Sequence, residues 1–433
     1  MAEALGHLAP TRPAVHLTPP RGWMNDPNGL CYLDGRWHAF YQHNPDDIVW
    51  GPMHWGHASS ANLITWDHHP VALRPDELGT IFSGSAVIDH DNTAGFGAGA
   101  LVAVFTQDLD GHQRQSIAAS VDSGLTWEKF EGNPVLEVDA ENCRDPKVIS
   151  FDDGDARRWA MVLAVGNRIQ LYRSADLKSW NLASEFTWDL EADGVWECPD
   201  LLRLPGHDSE WLLTFCVDNA GPYGHSACLA VPGQLVGVDF LSSAEPTPVD
   251  HGPDFYALQS FHAAPVDGPV LMGWMNSSHY SNSHPSNGWR GVLSMPRQLS
   301  FAPNGRLLTT PAVDLAAYGS PCPGNSWTSQ PGRALYVRAD GPILAEVSGQ
   351  GGLTATVEID DHSASITRHG EFMDQYAQRY EAELGQSGGH QIVIDHGTVE
   401  VFAAGGQATL SALVFPGEAW DVQIDGRAEM RSL

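Results

Sequence analysis

The chain has 433 residues, of which 42% are hydrophobic, and its formal net charge at pH 7 is −30. This length accommodates two or three domains, or one large β architecture with a smaller partner. The negative charge argues against nucleic acid or anionic membranes as partners, because both are bound through basic surface. It favours a neutral substrate over a phosphorylated one.

The N-terminal residues 1–17 show neither a basic start nor the apolar core of a secretory signal. No apolar run reaches the length of a membrane span. We therefore expect a cytoplasmic protein, or a secreted one if a leader has been removed. The cysteines form no C-x-x-C pair, so free thiols in a reducing compartment are the simplest interpretation. The six are Cys31, Cys143, Cys198, Cys216, Cys228 and Cys322.

The first 300 residues contain short apolar segments bounded by turn residues, which is typical of β-strands. No convincing long amphipathic helix is found, so the chain is predicted to be all-β. The clearest strands are WHAFYQ (37–42), LVAVFTQ (101–107), WAMVLAV (159–165) and WLLTFCV (211–217).

Two sets of motifs repeat in phase through this region. Elements of the form Asx/Ser-Leu-x-x-Trp end at Trp66, Trp127 and Trp180. The second set is centred on Asp26, Ser83, Asp145, Glu197 and Asp254. Successive residues of the second set are 52 to 62 positions apart. A repeat of this length holds four short strands, which is one propeller blade. Five motifs therefore predict a five-bladed β-propeller, and we assign the catalytic domain to residues 1–305.

The repeat stops after residue 305. Residues 306–330 are predicted to be a linker with one short helix. Residues 331–433 alternate in the strand period, for example in LTATVEI (353–359) and ATLSALVF (408–415), and AAGGQA (403–408) is a hairpin signal. We predict a C-terminal β-sandwich in a supporting role.

The repeat has a chemical consequence. Equivalent positions of successive blades face one axis, so the second set of motifs is expected to meet at one mouth of the channel. Asp26, Asp145 and Glu197 would place three carboxylates there, and Asp254 offers a fourth. Two carboxylates facing each other across a pocket are the machinery of glycoside hydrolysis.

The neighbours of each acid suggest its role. The amides around Asp26, including Asn25, would favour its charged form, which suits a nucleophile. Apolar residues flank Glu197, and burial there would favour the protonated form that a general acid needs. Arg144 should keep Asp145 ionised, so that it grips sugar hydroxyls and steadies positive charge on the ring.

Sugar binding also needs aromatic faces and hydroxyl partners. Gln42 and Ser83 could contact hydroxyls or satisfy a local turn. The histidines of MHWGH (53–57) lie in a turn and strand, not on a helix face, so we predict no metal site and no cofactor. The aromatic candidates, each of which could equally pack in the core, are Trp23, Trp50, Trp55, Phe82, Trp274 and Trp289.

Seven motifs together resemble glycoside hydrolase family 32, the β-fructosidases, which include invertases, inulinases and levanases. The resemblance covers the whole propeller and extends to GTVEVFAAGG (397–406) in the sandwich. The motifs are WMNDPNG (23–29), YQHNP (41–45), WGHASS (55–60), FSGSA (82–86), RDPK (144–147), WECPDL (196–201) and GWRG (288–291).

The resemblance implies that Asp26 is the nucleophile, Glu197 the acid/base and Asp145 the transition-state stabiliser. It also implies retention of configuration through a covalent fructosyl-enzyme intermediate, without a cofactor. The residues implied to line the subsite for the terminal fructose are Asn25, Gln42, Trp50, Phe82, Ser83 and Arg144. We add Trp274 as an aromatic contact.

The predicted function is an exo-acting β-fructosidase that hydrolyses sucrose and short inulin- or levan-type fructans. A fructosyltransferase that forms fructans or difructose anhydrides with the same residues remains an alternative, because acceptor choice depends on small differences in shape. The intact acids argue against a non-catalytic carbohydrate-binding propeller. A related propeller family acting on arabinose or xylose polymers is less consistent with the WMNDPNG and WECPDL contexts.

Overall fold

The computed structural model describes residues 11–152, 157–190, 194–204, 210–218, 226–370, 372–373, 376, 379–385 and 388–433. It confirms the all-β prediction, with a five-bladed β-propeller followed by a β-sandwich. The helices within these ranges are single 3₁₀ turns, and none has the length and apolar character of a membrane span.

The first three blades are antiparallel meanders. Blade 1 contains β1 (Gly22–Leu33), β2 (Arg36–Asn44), β3 (His54–Ser60) and β4 (Asp67–Leu73). Blade 2 contains β5 (Thr80–Asp89), β6 (Ala100–Leu109), β7 (His112–Ser120), β8 (Glu128–Lys129) and β9 (Leu136–Glu137). Blade 3 contains β10 (Cys143–Asp152), β11 (Arg157–Val165), β12 (Arg168–Ser174) and β13 (Asn181–Phe186).

Two further blades complete the ring. Blade 4 contains β14 (Trp196–Arg203), β15 (Trp211–Val217), β16 (Ala227–Val236), β17 (Asp239–Leu241) and β18 (Thr247–Pro248). Blade 5 contains β19 (Tyr256–Ser260), β20 (Val270–Trp274), β22 (Arg297–Phe301) and β23 (Leu307–Pro311). In the sequence, β21 (Trp289–Arg290) lies between β20 and β22. It pairs in parallel with β1 of blade 1. The first strands of the blades contact one another in a closed ring, β1–β5–β10–β14–β19–β1, so they line the axis.

The Trp repeat predicted from the sequence folds into one recurring turn. In blade 1, Ser60 Oγ accepts a hydrogen bond from Leu63 N, and Asn62 Oδ1 accepts one from Thr65 N. Blade 3 repeats both contacts with Ser174 and Asp176 as acceptors. The short polar side chains replace main-chain partners at the turn, which is why the pattern recurs in the sequence.

The C-terminal sandwich is built on two long strands, β26 (Leu335–Gly349) and β33 (Trp420–Ser432), which pair with each other. Residues 335–339 of β26 pair with β30, whereas residues 343–349 pair with β27, so β26 contributes to both layers. The remaining strands are β24 (Ser320–Pro321), β25 (Ser326–Thr328), β27 (Gly352–Ile359), β28 (Ser363–Arg368), β29 (Arg379–Glu383), β30 (His390–Asp395), β31 (Thr398–Ala403) and β32 (Ala408–Leu413).

The segment predicted as a linker, residues 306–330, carries secondary structure at both ends. Its first part contains β23, the outer strand of blade 5. Its last part contains β24 and β25, which pair with β33 of the sandwich. A 3₁₀ turn (Leu315–Ala317) lies between them, and a second one (Ala404–Gly406) forms the predicted hairpin between β31 and β32.

A buried polar network joins the two domains. His16 contacts Asp395 and Glu400 of the sandwich, each at 2.8 Å. Glu400 also pairs with Arg297 of blade 5, which reaches Asp250 at 2.7 Å. Burial alone would lower the pKa of His16, but its two carboxylate partners raise that pKa to about 9. The imidazolium therefore links the N-terminal segment to the sandwich.

Two sequence-based expectations are wrong. Asp254 is not at the channel mouth, because it precedes β19 and is buried between the domains. There it pairs with Arg368 at 3.1 Å and accepts a hydrogen bond from Leu413 N at 2.7 Å. Free thiols were expected throughout, but Cys216 and Cys228 form a disulfide, since they are register partners on adjacent strands of blade 4.

Candidate active site

Each of the five innermost strands carries a β-bulge at the same place. In each case two residues on the first strand face one on its partner, which is the geometry by which a bulge re-aims side chains. The bulged pairs are Asn25-Asp26, Phe82-Ser83, Asp145-Pro146, Cys198-Pro199 and Ala257-Leu258.

The three acids occupy three successive positions relative to this bulge. Asp26 is its second residue, Asp145 its first, and Glu197 immediately precedes it. The first bulged residue has left-handed backbone in the last three blades, with φ of 63° at Asp145, 48° at Cys198 and 52° at Ala257. Such backbone is unfavourable for residues other than glycine and is concentrated at functional sites.

The bulges open into a cavity of about 450 Å³. All ten predicted site residues line it, so the structure brings the complete predicted set together. They are Asn25, Asp26, Gln42, Trp50, Phe82, Ser83, Arg144, Asp145, Glu197 and Trp274. Of the other aromatic candidates, Trp23 also lines the cavity, whereas Trp55 is fully buried in the core and Trp289 lies under Arg12.

Five further residues line the cavity that the sequence reasoning missed. Tyr256 had a usable signal, because it immediately precedes the fifth bulge and is therefore the counterpart of Glu197. Asp254, on which the sequence motif is centred, lies two residues before it. The other four have no motif around them: they are Asp218, Ser278, Ser281 and Asn282.

Asp26 receives hydrogen bonds on both carboxyl oxygens. Ser83 Oγ donates to Oδ2 at 2.6 Å, and Asn25 Nδ2 donates to Oδ1 at 2.8 Å. Trp23 Nε1 in turn donates to Asn25 Oδ1 at 2.7 Å, which fixes the amide. Burial raises the pKa of Asp26, the charge of Glu197 adds to the rise, and the donors offset it only in part. The predicted effect of the donors is present but smaller than that of burial.

Glu197 lies in polar surroundings, contrary to the sequence-based expectation. Arg144 donates to its Oε1 through Nε at 3.0 Å and Nη2 at 2.8 Å, and Tyr256 OH donates to Oε2 at 2.5 Å. Its side chain is 26% exposed. The neighbouring Trp196 stacks on Phe215 in the core instead, because successive residues of a strand point to opposite sides.

Asp145 is the most strongly perturbed acid of the site. Burial raises its pKa to about 7; Arg144 lowers this pKa, but the charges of Glu197 and Asp26 raise it again. Arg144 lowers the pKa of Asp145 in the expected direction, but burial outweighs it, and the guanidinium hydrogen bonds to Glu197. The backbone N–H of Cys198 holds Asp145 Oδ2 at 2.9 Å.

A buried ion pair lies directly after the bulges of blades 3 and 4. Lys147 Nζ lies 2.9 Å from Asp200 Oδ2 and also donates to Ser260 O at 2.7 Å, which ties three blades together. The side chains of Lys147 and Asp200 are 5% and 0% exposed. In blade 1, Gln42 donates to Asn28 Oδ1 at 2.8 Å.

The histidines of blade 1 are engaged in packing. The ring of His57 stacks on Phe40 at 4.2 Å and shares a hydrogen bond with His38 at 3.1 Å. Within the part of the chain that the structure describes, no group of three or more His, Cys, Asp or Glu side chains is arranged to hold a metal ion.

Two protein-family models match the chain. The model of the Glycosyl hydrolases family 32 N-terminal domain matches residues 16–311. The model of the Glycosyl hydrolases family 32 C terminal matches residues 356–425. These matches cover the propeller and most of the sandwich.

Similar proteins agree with the family models. A levanase of Bacillus subtilis (strain 168) is 46% identical over 321 residues, which are 70% of this chain and 47% of the levanase. An extracellular exo-inulinase of Meyerozyma guilliermondii is 40% identical over 309 residues, 67% of this chain and 60% of the inulinase. The matched part thus spans about half the length of these curated relatives. The solved β-fructofuranosidase of Schwanniomyces occidentalis, complexed with fructosyl-erythritol, has a TM-score of 0.85 and 26% identity, covering 99% of this chain and 98% of that one.

Proposed function

The chain belongs to family 32 of the glycosyl hydrolases, and we propose that it is a retaining, exo-acting β-fructosidase. The observation that carries the proposal is the convergence of Asp26, Asp145 and Glu197 in one pocket. Its substrates are terminal β-D-fructofuranosides, namely sucrose and short inulin- or levan-type fructans. The relatives named levanase and exo-inulinase and the neighbour that holds fructosyl-erythritol support this substrate class.

Asp26 is the nucleophile of the proposed reaction. Its carboxylate attacks the anomeric carbon of the terminal fructose, and the bond from that carbon to the leaving oxygen breaks. The hydrogen bonds from Ser83 and Asn25 leave the carboxylate one orientation relative to the pocket. This fixed position lowers the entropic part of the barrier.

Glu197 is the acid/base. It protonates the leaving oxygen in the first step, and in the second it takes a proton from the water that attacks the fructosyl-enzyme intermediate. Two attacks on opposite faces restore the original configuration. The side chain of Glu197 is partly exposed, so water can reach it at the pocket mouth.

Asp145 stabilises the charge that develops on the sugar ring. It is buried beside the nucleophile and held by the Cys198 amide, so its oxygens are placed to accept hydrogen bonds from fructose hydroxyls. Positive charge on the oxocarbenium-like transition state interacts most favourably with a carboxylate in a site shielded from water. Burial of the Asp145 carboxylate therefore lowers the stability of the free enzyme. Its interaction with the positive charge of the transition state offsets this cost.

Relatives named exo-inulinase support exo action. In this mode a chain end, or sucrose, places its terminal fructose against Asp26. Hydrolysis then releases one fructose at a time.

Chromatographic product analysis tests the proposal. The wild type, Asp26→Ala and the surface control Asp122→Ala are incubated with sucrose, inulin oligosaccharides and levan oligosaccharides. We expect free fructose from the wild type and the control, and none from Asp26→Ala. New oligosaccharides or anhydrides with little free fructose would show that the enzyme transfers fructose to another acceptor instead of hydrolysing the substrate. Absence of any product from all fructosides would overturn the proposal.

A further inference from the structure

The GWRG motif contains a buried arginine that the proposed reaction does not use. Arg290 Nη1 donates to the backbone carbonyls of Ile48 and Asn282, and Nη2 donates to that of His284, each at 2.8 Å. These carbonyls belong to two loops, residues 45–53 and 275–288, which lie more than two hundred residues apart in sequence. One side chain therefore binds both loops.

The two loops form one wall of the pocket. Trp50 of the first loop and Ser281 and Asn282 of the second line the cavity. The wall is joined a second time, because Trp50 N donates to Asn282 Oδ1 at 3.0 Å. Trp50 is 51% exposed, and its ring contacts Phe82 edge-on at 5.8 Å, so core packing does not fix its position. The hydrogen bonds to the backbone do.

Arg290 is itself aligned with the strand of the nucleophile. Its strand, β21, pairs with β1, where Gly22 faces Trp289 and Trp23 faces Arg290. At the next residue, Gly291, φ is 98° and a Cβ atom would lie 1.8 Å from Met24 O. The chain can pass this close to β1 only with glycine at that position. This close contact fixes the wall relative to Met24, which lies two residues before Asp26.

A stability role alone explains Arg290 poorly. Within the described residues, no carboxylate hydrogen bonds to its guanidinium, and its Nε has no hydrogen-bond partner. A buried cation with only carbonyl partners carries a desolvation cost that an apolar side chain would avoid. Burial correspondingly lowers its pKa, with Asp47 as the one charged group that raises it.

We propose that Arg290 is a positioning residue that sets the pocket wall formed by residues 45–53 and 275–288, and thereby the affinity for the fructoside. This inference rests on the proposed function. The wall meets the bound substrate before and during bond breaking alike. Its displacement should therefore raise KM much more than it lowers kcat, since uniform binding is lost.

Steady-state kinetics with sucrose test the proposal on three variants. We expect Arg290→Ala to raise KM roughly 10- to 100-fold, the range for lost hydrogen bonds to a charged group, and to leave kcat within about threefold. Arg290→Lys should recover part of the affinity, because an ammonium reaches some of the carbonyls without the planar fork. The matched control is Arg431→Ala, since Arg431 also binds two backbone carbonyls, those of Tyr318 and Gly319, but in the sandwich.

Hydrogen exchange followed by mass spectrometry supplies a readout that does not require turnover. Peptides covering both loops should exchange faster together in Arg290→Ala and not in Arg431→Ala. Unchanged KM, equal losses of kcat in Arg290→Ala and Arg431→Ala, or unchanged exchange of the loops would each overturn the proposal. If Arg290→Ala does not fold, Arg290→Lys carries the same comparison. A wild type inactive on every fructoside would overturn the proposed function, whereas the exchange result would still decide whether Arg290 holds the wall.

Discussion

Asp145 gives the site a measurable cost in stability. Its pKa is about 7 in the folded protein, against an ordinary 3.8. A carboxyl whose pKa is raised on folding costs nothing below the unfolded pKa, and its full cost is reached above the folded pKa. The ionised form should therefore destabilise the fold progressively from about pH 4 to about pH 7. At 1.36 kcal/mol for each pKa unit, the full cost is at most about 4 kcal/mol.

Asp145→Asn should remove this cost and stabilise the protein. The amide oxygen can still accept the hydrogen bond from Cys198 N, so the local geometry is kept. For a chain of 433 residues the unfolding entropy is roughly 0.9 kcal/mol/K, so we expect the melting temperature to rise by up to about 4 °C at pH 8. At pH 4 the rise should vanish. Turnover should be lost at both pH values.

Differential scanning calorimetry at pH 4, 6 and 8 measures the effect. The control is Asp122→Asn, the same substitution at a site where slight burial is outweighed by hydrogen bonds from Thr126 and Ser120, so that the pKa of Asp122 is lowered. That variant should lose stability above pH 4 instead of gaining it. An Asp145→Asn variant that is no more stable than the wild type at pH 8, or equally stabilised at pH 4, would refute the reasoning.

Three other results are expected. Tyr256→Phe removes the donor to Glu197 Oε2 and should lower kcat/KM for sucrose about tenfold; an unchanged value would show that the hydroxyl is dispensable. His16→Gln should lower the melting temperature below pH 6.5, because Asp395 and Glu400 stabilise the protonated imidazole of the wild type. The difference in melting temperature should disappear as the pH rises through about 9, where His16 loses its proton. The pocket contains four carboxylates and one arginine, so sucrose 6-phosphate should be cleaved at least about tenfold less efficiently than sucrose in competition assays; equal efficiency would contradict the charge argument.

The sequence predicts the fold and the composition of the site well, because both depend on local, repeated patterns. WHAFYQ and its three counterparts are the second strands of blades 1–4. The bulge sequences recur because each first strand must turn side chains towards the same axis. Five of the ten predicted residues that line the pocket lie in these bulges: Asn25, Asp26, Phe82, Ser83 and Asp145.

What the sequence does not reveal depends on contacts between distant segments. Arg144 precedes Asp145 in the chain, but its guanidinium reaches across to Glu197 of the next blade. Asp254 fits the motif spacing, but its side chain contacts the sandwich and not the channel. Tyr256 becomes recognisable only when the blades are aligned on their bulges instead of on their acids.

The central claim is that Asp26 forms a covalent bond to fructose. Glu197→Ala, which lacks the acid/base, should still react with p-nitrophenyl β-D-fructofuranoside, because this leaving group needs little protonation, and should then hydrolyse the intermediate slowly. Mass spectrometry of the quenched, digested protein should show one added hexosyl unit on the peptide that contains Asp26. No adduct in Glu197→Ala during turnover, or an adduct on any other residue, would contradict the claim.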